Sequence, residues 1–310
     1  MRRAIRPNRD CPVCGDSRRR SLSLIYAIPE FDVVECDVCG VAFINQAISG
    51  NRGFAAEYGI VTDPMLSGKA TRDLANLKLF LRRCGVVDFQ SLKLLDLGCG
   101  IGTFLLRAAQ EGWSVAGLEI NSSAANHARE RRGLNVQTGS VEDRTCFPSE
   151  TFKVITMFGV IEHLASPRQA VKECARLLEP HGFLVIETPN GNGLMRRAGR
   201  LLYRITGGFV RFHVKELFQM GGGHAVIFDR RSISVLLKNF GFEVVSAKPS
   251  TYGLRILLER FRNLALAARV IKCLGTSVVF FFGQALGASN HLTVYARKNP
   301  DNAEVRQSPS

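Results

Sequence analysis

An α/β chain is what this sequence predicts: a parallel sheet with helices on both faces, and a small metal-held module in front of it. Three observations carry that expectation. Strand-like apolar runs alternate with helical segments from residue 92 to about 245. The first run ends in a glycine-rich turn, LLDLGCGIGTF (Leu94–Phe104). Ahead of it stand two C-x-x-C-G knuckles, CPVCG (Cys11–Gly15) and CDVCG (Cys36–Gly40). Strands that alternate with helices predict parallel pairing, because each return crossover must lie on a face of the sheet.

The bulk numbers narrow the class. A chain of 310 residues with 46% hydrophobic and 22% charged residues can bury a sizeable core. The net charge of +14 predicts attraction to something anionic, whether nucleic acid, a membrane surface or a phosphorylated substrate. It is unevenly placed: residues 1–20 hold seven Arg, and residues 190–275 hold fifteen Lys or Arg against four acidic residues. MRRAIRPNRD lacks the apolar run of a secretory signal, and SVVFFFGQALGA (Ser277–Ala288) falls short of the ~20 residues of a spanning helix. A cytoplasmic protein is expected, its nine Cys serving as thiols or metal ligands.

The knuckles come first in chain order. Two residues between thiolates let both sulfurs reach one ion, and the following Gly permits the tight turn. With 21 residues between Cys14 and Cys36, the set Cys11, Cys14, Cys36 and Cys39 reads as a closed, structural zinc site. SLSLIYAIPEFDVVEC between the knuckles and GVAFIN after them read as short strands, so residues 1–45 form a zinc ribbon too small to hold itself by apolar burial alone. Residues 46–75 read as a linker, and KATRDLANLKLFLRRCG as a helix packing through Leu74, Leu77, Leu79, Phe80 and Leu81 on a domain spanning 76–299.

The glycine turn follows the strand Leu92–Leu97. Its glycines at 98, 100 and 102 give G-x-G-x-G, unlike the G-x-G-x-x-G of dinucleotide sites, and Asp96 precedes them. A carboxylate at the strand end repels a pyrophosphate and suits an ammonium group. The next strand, SVAGLEIN, ends at Glu119, about twenty residues beyond the turn, where an acid can grip ribose hydroxyls. Ammonium plus ribose without phosphate describes S-adenosylmethionine. Onward, SSAANHARERRG reads as a helix, LNVQTG as a strand, SVEDRTCFPSE as a loop and TFKVITMFGVIEHL as a buried strand with its exit. SPRQAVKECARLLEPHG reads as a helix with Ser166 as cap and Pro167 in its first turn, and FLVIETPN as a fifth strand.

LLDLGCGIGTF, GLEIN, FKVITMFGVIEHLASP and LLEPHGFLVIETPN, in that order and spacing, resemble the class I S-adenosylmethionine-dependent methyltransferases. The most similar branch holds the ubiquinone-biosynthesis-like enzymes, whose members often sit with polysaccharide-biosynthesis genes. The resemblance covers Leu92 to about Val245, with HLTVYARK as closing strand. It implies a Rossmann-like seven-stranded sheet of order 3-2-1-4-5-7-6, with strand 7 antiparallel. It also implies roles: Asp96 on the methionine ammonium; Gly98, Cys99 and Gly100 under the methionine and ribose; Glu119, followed by Ile120, on the ribose hydroxyls. Val141 would meet the adenine ring through its backbone. Ser140 or Glu142 would bond the adenine amino group, where many relatives carry Asp at position 140. Phe158 would line the methyl-transfer pocket.

Two histidines are candidate bases. His163 leaves the fourth strand at its C-terminal end, the edge that faces the site in open α/β sheets. His224 begins a His-x-x-x-Phe run matched by relatives, ahead of a helix capped by Asp229. Some ubiquinone-pathway relatives carry E-x-x-E-H and bind a divalent ion there; here Gly159 stands in the first Glu position, leaving Glu162 and His163. His213 is a weaker candidate. Residues 190–225 read as a lid insertion mixing Arg196, Arg197, Arg200, Arg204 and Arg211 with apolar residues, and 254–288 as an apolar and basic helical segment. Both suit an anionic membrane surface, which would place the protein at the inner face of the membrane. Residues 300–310 read as a disordered tail. The leading expectation is methyl transfer from S-adenosylmethionine to a small-molecule, sugar or lipid-linked acceptor. Its rivals are an RNA methyltransferase that grips phosphates with the basic flanks, and a non-catalytic scaffold that binds the cofactor.

Overall fold

The computed structural model describes residues 8–16, 22–27, 31–46, 64–209, 223–250 and 288–300. Most of the linker, lid residues 210–222 with His213, the segment 254–287 and the tail from 301 onward lie outside the described residues.

The first three strands are β1 (Leu22–Ala27), β2 (Asp32–Cys36) and β3 (Ala42–Ile44). Helix α1 runs over Pro64–Arg83, so it starts inside the stretch read as a linker through residue 75. Its first turns carry Ser67, Gly68 and Lys69 and give no apolar period to read. Leu74, Leu77, Phe80 and Leu81 are buried as expected, whereas Leu79 is half exposed, pointing away from the sheet.

The α/β layers follow: β4 (Lys93–Leu97), α2 (Thr103–Gln110), β5 (Ser114–Glu119), α3 (Ser122–Arg132), β6 (Val136–Thr138) and β7 (Phe152–Phe158). A 3-10 turn at Ile161–His163 leads to α4 (Pro167–Leu177) and β8 (Leu178–Pro189). Then come α5 (Leu194–Ile205), β9 (Val226–Ile227), α6 (Arg230–Lys238), β10 (Phe242–Ser250) and β11 (His291–Lys298). The large sheet has the order β10-β11-β8-β7-β4-β5-β6. Strands β4 to β8 pair in parallel, and β11 is antiparallel to both neighbours. This is the 3-2-1-4-5-7-6 arrangement with its seventh strand reversed.

Period-two alternation divides the core. In β4, Leu95 and Leu97 enter the cluster on one face, while Leu94 enters the cluster on the other, beneath α1. Ser166 was expected to cap α4 with its side chain. Its hydroxyl makes no such bond; the Ser166 N–H donates to the Glu142 carboxylate instead. Pro167 does occupy the first turn. Strand β8 begins directly after α4, five residues before the expected FLVIETPN.

Asp229 caps α6 as expected. Its Oδ1 accepts from Ser232 N at 2.8 Å, and Ser232 Oγ accepts from Asp229 N at 2.9 Å, a reciprocal capping box. Asp229→Ala is expected to lower stability by about 1–2 kcal/mol. Urea unfolding at constant slope would show it as a shifted midpoint, and an unchanged midpoint would remove the cap's claim.

The N-terminal four-cysteine segment does not stand apart. Its sheet has four strands, β1-β2-β3-β9, and the fourth comes from beyond residue 220. Val13, Val41 and fully buried Phe43 share one core cluster with Ala225, Val226, Phe228 and Ile233. A module this small gains the apolar burial it lacks by borrowing a strand and a core from its neighbour.

Candidate functional site

Two groups of polar side chains gather where the parallel strands end. The first lies at β4 and β5. Asp96 is buried, and its Oδ1 accepts from Thr156 Oγ1 at 2.7 Å. Burial pushes its carboxyl up to about 7, a rise that the Thr156 bond and the Lys69 charge only partly oppose. Glu119 is buried as well. Its Oε2 accepts from Gly100 N and its Oε1 from Asn121 N, each at 2.8 Å, so the turn and the β5 exit are tied by one carboxylate.

The turn needs its glycines for two different reasons. Gly98 has φ 72°, and a Cβ there would stand 2.4 Å from Val160 Cγ2. Gly100 has φ 55°, yet among the described residues nothing lies within 4 Å of where its Cβ would be. The chain is left-handed at Gly100 and open above it, a cradle for a closely approaching ligand. Cys99 points the other way. Its buried sulfur packs over Gly117, where a Cβ would meet Sγ at 2.7 Å, and burial pushes its thiol up. Protein, rather than cofactor, covers this thiol.

The surroundings are acidic. Lys69 Nζ stands 2.6 Å from Asp73 Oδ2 and 3.0 Å from Glu187 Oε1, and 4.8 Å above the Phe158 ring. Phe158 meets Phe104 edge-on at 4.9 Å. Asp96, Glu119, Asp73 and Glu187 outnumber the Lys69 ammonium and the Arg72 guanidinium paired with Asp73, so the space favours a cation and disfavours a diphosphate. At the end of β6, Ser140 Oγ accepts from Glu142 N at 3.1 Å and Val141 is buried. The Glu142 carboxylate accepts from Ser166 N. Ile120 lies in the bend between β5 and α3.

The second group lies at the end of β7. Glu162 is buried, its Oε2 accepts from Thr188 Oγ1 at 3.0 Å, and burial pushes its carboxyl up to about 7. His163 Nε2 lies 3.9 Å from Glu162 Oε1, and the His163 and His224 rings are 4.8 Å apart. These two histidines lie 61 positions apart in sequence, and the fold brings them into contact. Gly159 has φ 72°, and its Cβ would lie 3.7 Å from Glu162 Oε1. The first carboxylate of E-x-x-E-H is therefore missing at a position where a side chain would also be strained. One ligand atom from each of Glu162, His163 and His224 lies within 4.8 Å of the others. Arg196 of α5 faces Glu162 and Tyr26 electrostatically. Its Nη1 is buried with no hydrogen-bond partner among the described residues, and burial lowers the guanidinium to about 10.

The four knuckle sulfurs also converge. Cys11 Sγ lies 3.5 Å from Cys39 Sγ, Cys14 Sγ lies 3.7 Å from Cys36 Sγ, and all four fall within 4.8 Å of one another. Sulfurs at the corners of a tetrahedron around zinc, each at ~2.3 Å, stand about 3.8 Å apart, whereas a disulfide closes to about 2.05 Å. The set fits a tetrahedral dication.

Sequence reasoning missed Lys69, Asp73, Thr156, Glu187 and Thr188, and took Arg196 only as one of the basic residues of the lid. Thr156 and Glu187 were detectable as polar residues inside otherwise apolar strands. Lys69 and Asp73 form an ordinary i,i+4 pair whose position over the site only packing reveals.

Comparison with known proteins agrees with this geometry. A family described as a methyltransferase domain matches residues 69–247. The ubiquinone biosynthesis O-methyltransferase of Caulobacter sp. (strain K31) is 32% identical over 112 residues, 34% of this chain and 44% of that protein. Its counterpart from Azoarcus sp. (strain BH72) is 27% identical over 198 residues, 62% of this chain and 81% of that protein. Several of these matches thus span less than half of the relative's length. Phosphoethanolamine N-methyltransferase 2 of Haemonchus contortus, solved with S-adenosyl-L-methionine, superposes with a TM-score of 0.51 at 19% identity, over 74% of this chain and 52% of that one. At that identity the likeness concerns the fold. The family match covers more than half of the 310 residues, and the chain belongs to this methyltransferase family, with the sheet of a class I S-adenosylmethionine-dependent methyltransferase.

Proposed function

We propose that this protein transfers the methyl group of S-adenosylmethionine to a hydroxyl of a small, anionic acceptor. The observation that carries the reading is the pairing of an open, acid-lined glycine cradle with a histidine pair at neighbouring strand ends. Bound S-adenosylmethionine supplies a methyl group already activated on a sulfonium. The protein then has to orient, desolvate and deprotonate. Asp96 would hold the ammonium, Glu119 the ribose hydroxyls, and Gly98, Cys99 and Gly100 would pass beneath them by their backbone. Ile120, Val141 and Ser140 would border the adenine. Phe158, steadied by Lys69 and Phe104, would wall the transfer pocket. Alignment of this kind can supply ~7–11 kcal/mol of a barrier.

His163 and His224 would take the acceptor proton, with Glu162 orienting His163. Oxygen as the methylated atom is supported by the O-methyltransferase names of the relatives and by a base pair suited to a hydroxyl. Arg196 supports an acceptor bearing a carboxylate or phosphate, because its guanidinium interacts with the Glu162 charge and its buried Nη1 has no hydrogen-bond partner among the described residues. A sugar or lipid-linked acceptor is the finer reading. Helix α5 exposes Met195, Leu201 and Ile205 beside exposed Arg197 and Arg204, with exposed Phe209 just past its end, a face suited to an anionic lipid surface. Among the described residues no helix is long and apolar enough to cross a membrane. Flotation with anionic but not neutral vesicles is the expected result; failure on both would remove the lipid-linked reading.

Zinc in the four-cysteine site is part of the same proposal, with one zinc per chain expected by atomic emission. A second reading concerns the other cluster: Glu162, His163 and His224 would hold a divalent ion near the acceptor oxygen, as their donor spacing allows. Activity that survives removal of all labile divalent ions would decide for the histidine bases alone.

Calorimetry with S-adenosylmethionine tests the cofactor half, and metabolite screening with labelled methyl donor identifies the acceptor. A protein that ignores S-adenosylmethionine but binds a nicotinamide nucleotide would end the proposal. A labelled RNA product would replace the small acceptor.

A further inference from the structure

The knuckles are joined to the methyltransferase domain in a specific way. Arg168, the second residue of α4, donates from Nη1 to Val13 O at 3.0 Å. Arg231, the second residue of α6, donates from Nη2 to Val38 O at 2.8 Å. Val13 and Val38 occupy the same place in their knuckles, directly before the second cysteine. Each metal-binding turn is therefore held by a guanidinium from the start of a different helix. Those helices follow the two histidine-bearing segments: α4 comes after the His163 turn and α6 after His224.

A backbone bridge makes the second link. Ala225 N–H donates to Glu162 O at 2.8 Å, and Ala225 O accepts from Ile44 N at 3.1 Å. One residue next to His224 is thus bonded through its N–H to the Glu162–His163 turn and through its C=O to the last ribbon strand. Beyond it β9 pairs with β3, Val226 opposite Phe43 and Ile227 opposite Ala42. Strand β3 starts two residues after Gly40, and the second knuckle closes on it through Cys36 N–H to Val41 O at 2.9 Å. Asp96, Gly100 and Glu119 have their own supports in Thr156, Asn121 and each other.

We propose that the four-cysteine module is a positioning part of the acceptor half: its bound metal holds the segment carrying His224, which leads into β9, against the turn carrying Glu162 and His163. Arg168 and Arg231 are positioning residues that transmit this order. β9 has only two residues and packs on a ribbon too small to fold unaided, so the ion that folds the ribbon also registers β9. The cofactor half touches the same turn where Gly98 packs on Val160, but its carboxylates keep hydrogen bonds of their own. The role given to the histidines rests on the proposed function, while the mechanical coupling can be measured without any acceptor.

The test is hydrogen exchange by mass spectrometry on the full chain, metal-loaded and metal-free, with calorimetry against S-adenosylmethionine on the same samples. Removal of the metal is expected to speed exchange at 159–166 and 223–228 at least tenfold. Segments 94–100 and 115–121 should keep their protection, and cofactor affinity should stay within about threefold. Unchanged exchange at the two histidine segments would overturn the proposal. If metal removal unfolds the whole chain, metal-loaded Arg168→Met and Arg231→Met decide instead. They are expected to keep one metal per chain and cofactor affinity while both histidine segments exchange at least threefold faster. Arg231→Lys, which keeps one donor for Val38 O, should restore part of the protection. Methionine variants with unaltered exchange would sink the idea. Loss of cofactor binding by the wild-type protein would end the proposed function and leave the exchange result to stand by itself.

Discussion

Asp96→Asn is expected to weaken S-adenosylmethionine binding about a hundredfold and to make the remaining affinity indifferent to pH between 6 and 7.5. Removing one partner of a buried, hydrogen-bonded charge pair costs about 2–5 kcal/mol, and asparagine keeps the shape and the acceptor for Thr156 while losing the charge. The pH effect follows from the carboxyl's raised value of about 7, caused first by burial. In the empty protein the neutral form is favoured below 7. Its contribution to stability is complete below the unfolded value near 3.8 and is lost as pH rises through 7. Cofactor binding runs in the opposite sense, because an ammonium favours the ionised carboxylate. Affinity should therefore tighten about tenfold from pH 6 to pH 7.5, following the ionised fraction. Glu162 is also raised to about 7, but it belongs to the other group, so Glu162→Gln should retain this dependence. Calorimetry on the two variants separates the cases. A pH-dependent Asp96→Asn would move the ammonium site elsewhere.

His224→Ala and His163→Ala should each lower single-turnover methyl transfer by ~10²–10⁴, the range of general-base catalysis, and leave the cofactor's Kd within twofold. The rings are 4.8 Å apart and share the Glu162 turn, so the double variant should be little worse than the poorer single one. Additive losses would mean independent roles. A change in cofactor affinity equal to the loss in rate would mean that the histidines belong to the cofactor half. Rates are read with the acceptor identified by labelled-methyl screening.

Much of this was legible in sequence because it is local. The strand entering the turn, Asp96 before the glycines, Glu119 at the next strand's end and the Asp229 cap each depend on residues a few positions apart. The paired knuckles belong to the same class, since two residues between cysteines already bring two sulfurs to one ion. The start of α1 was not legible, because its first turns lack an apolar stripe. Nor was the role of Glu142, whose carboxylate meets Ser166 N across a loop, strand β7 and the 3-10 turn.

By itself the sequence determined the α/β class, the strand order that the resemblance implied, and the acidic character of the cofactor cradle. Only the tertiary structure decided that His163 and His224 meet, that Lys69 and Glu187 frame Phe158, and that the ribbon takes its fourth strand from the domain it precedes. The physical reason is range. Periodicity and turn chemistry act over a few residues, whereas strand pairing between residues 42 and 227 and contact between rings at 163 and 224 follow from burying one shared core.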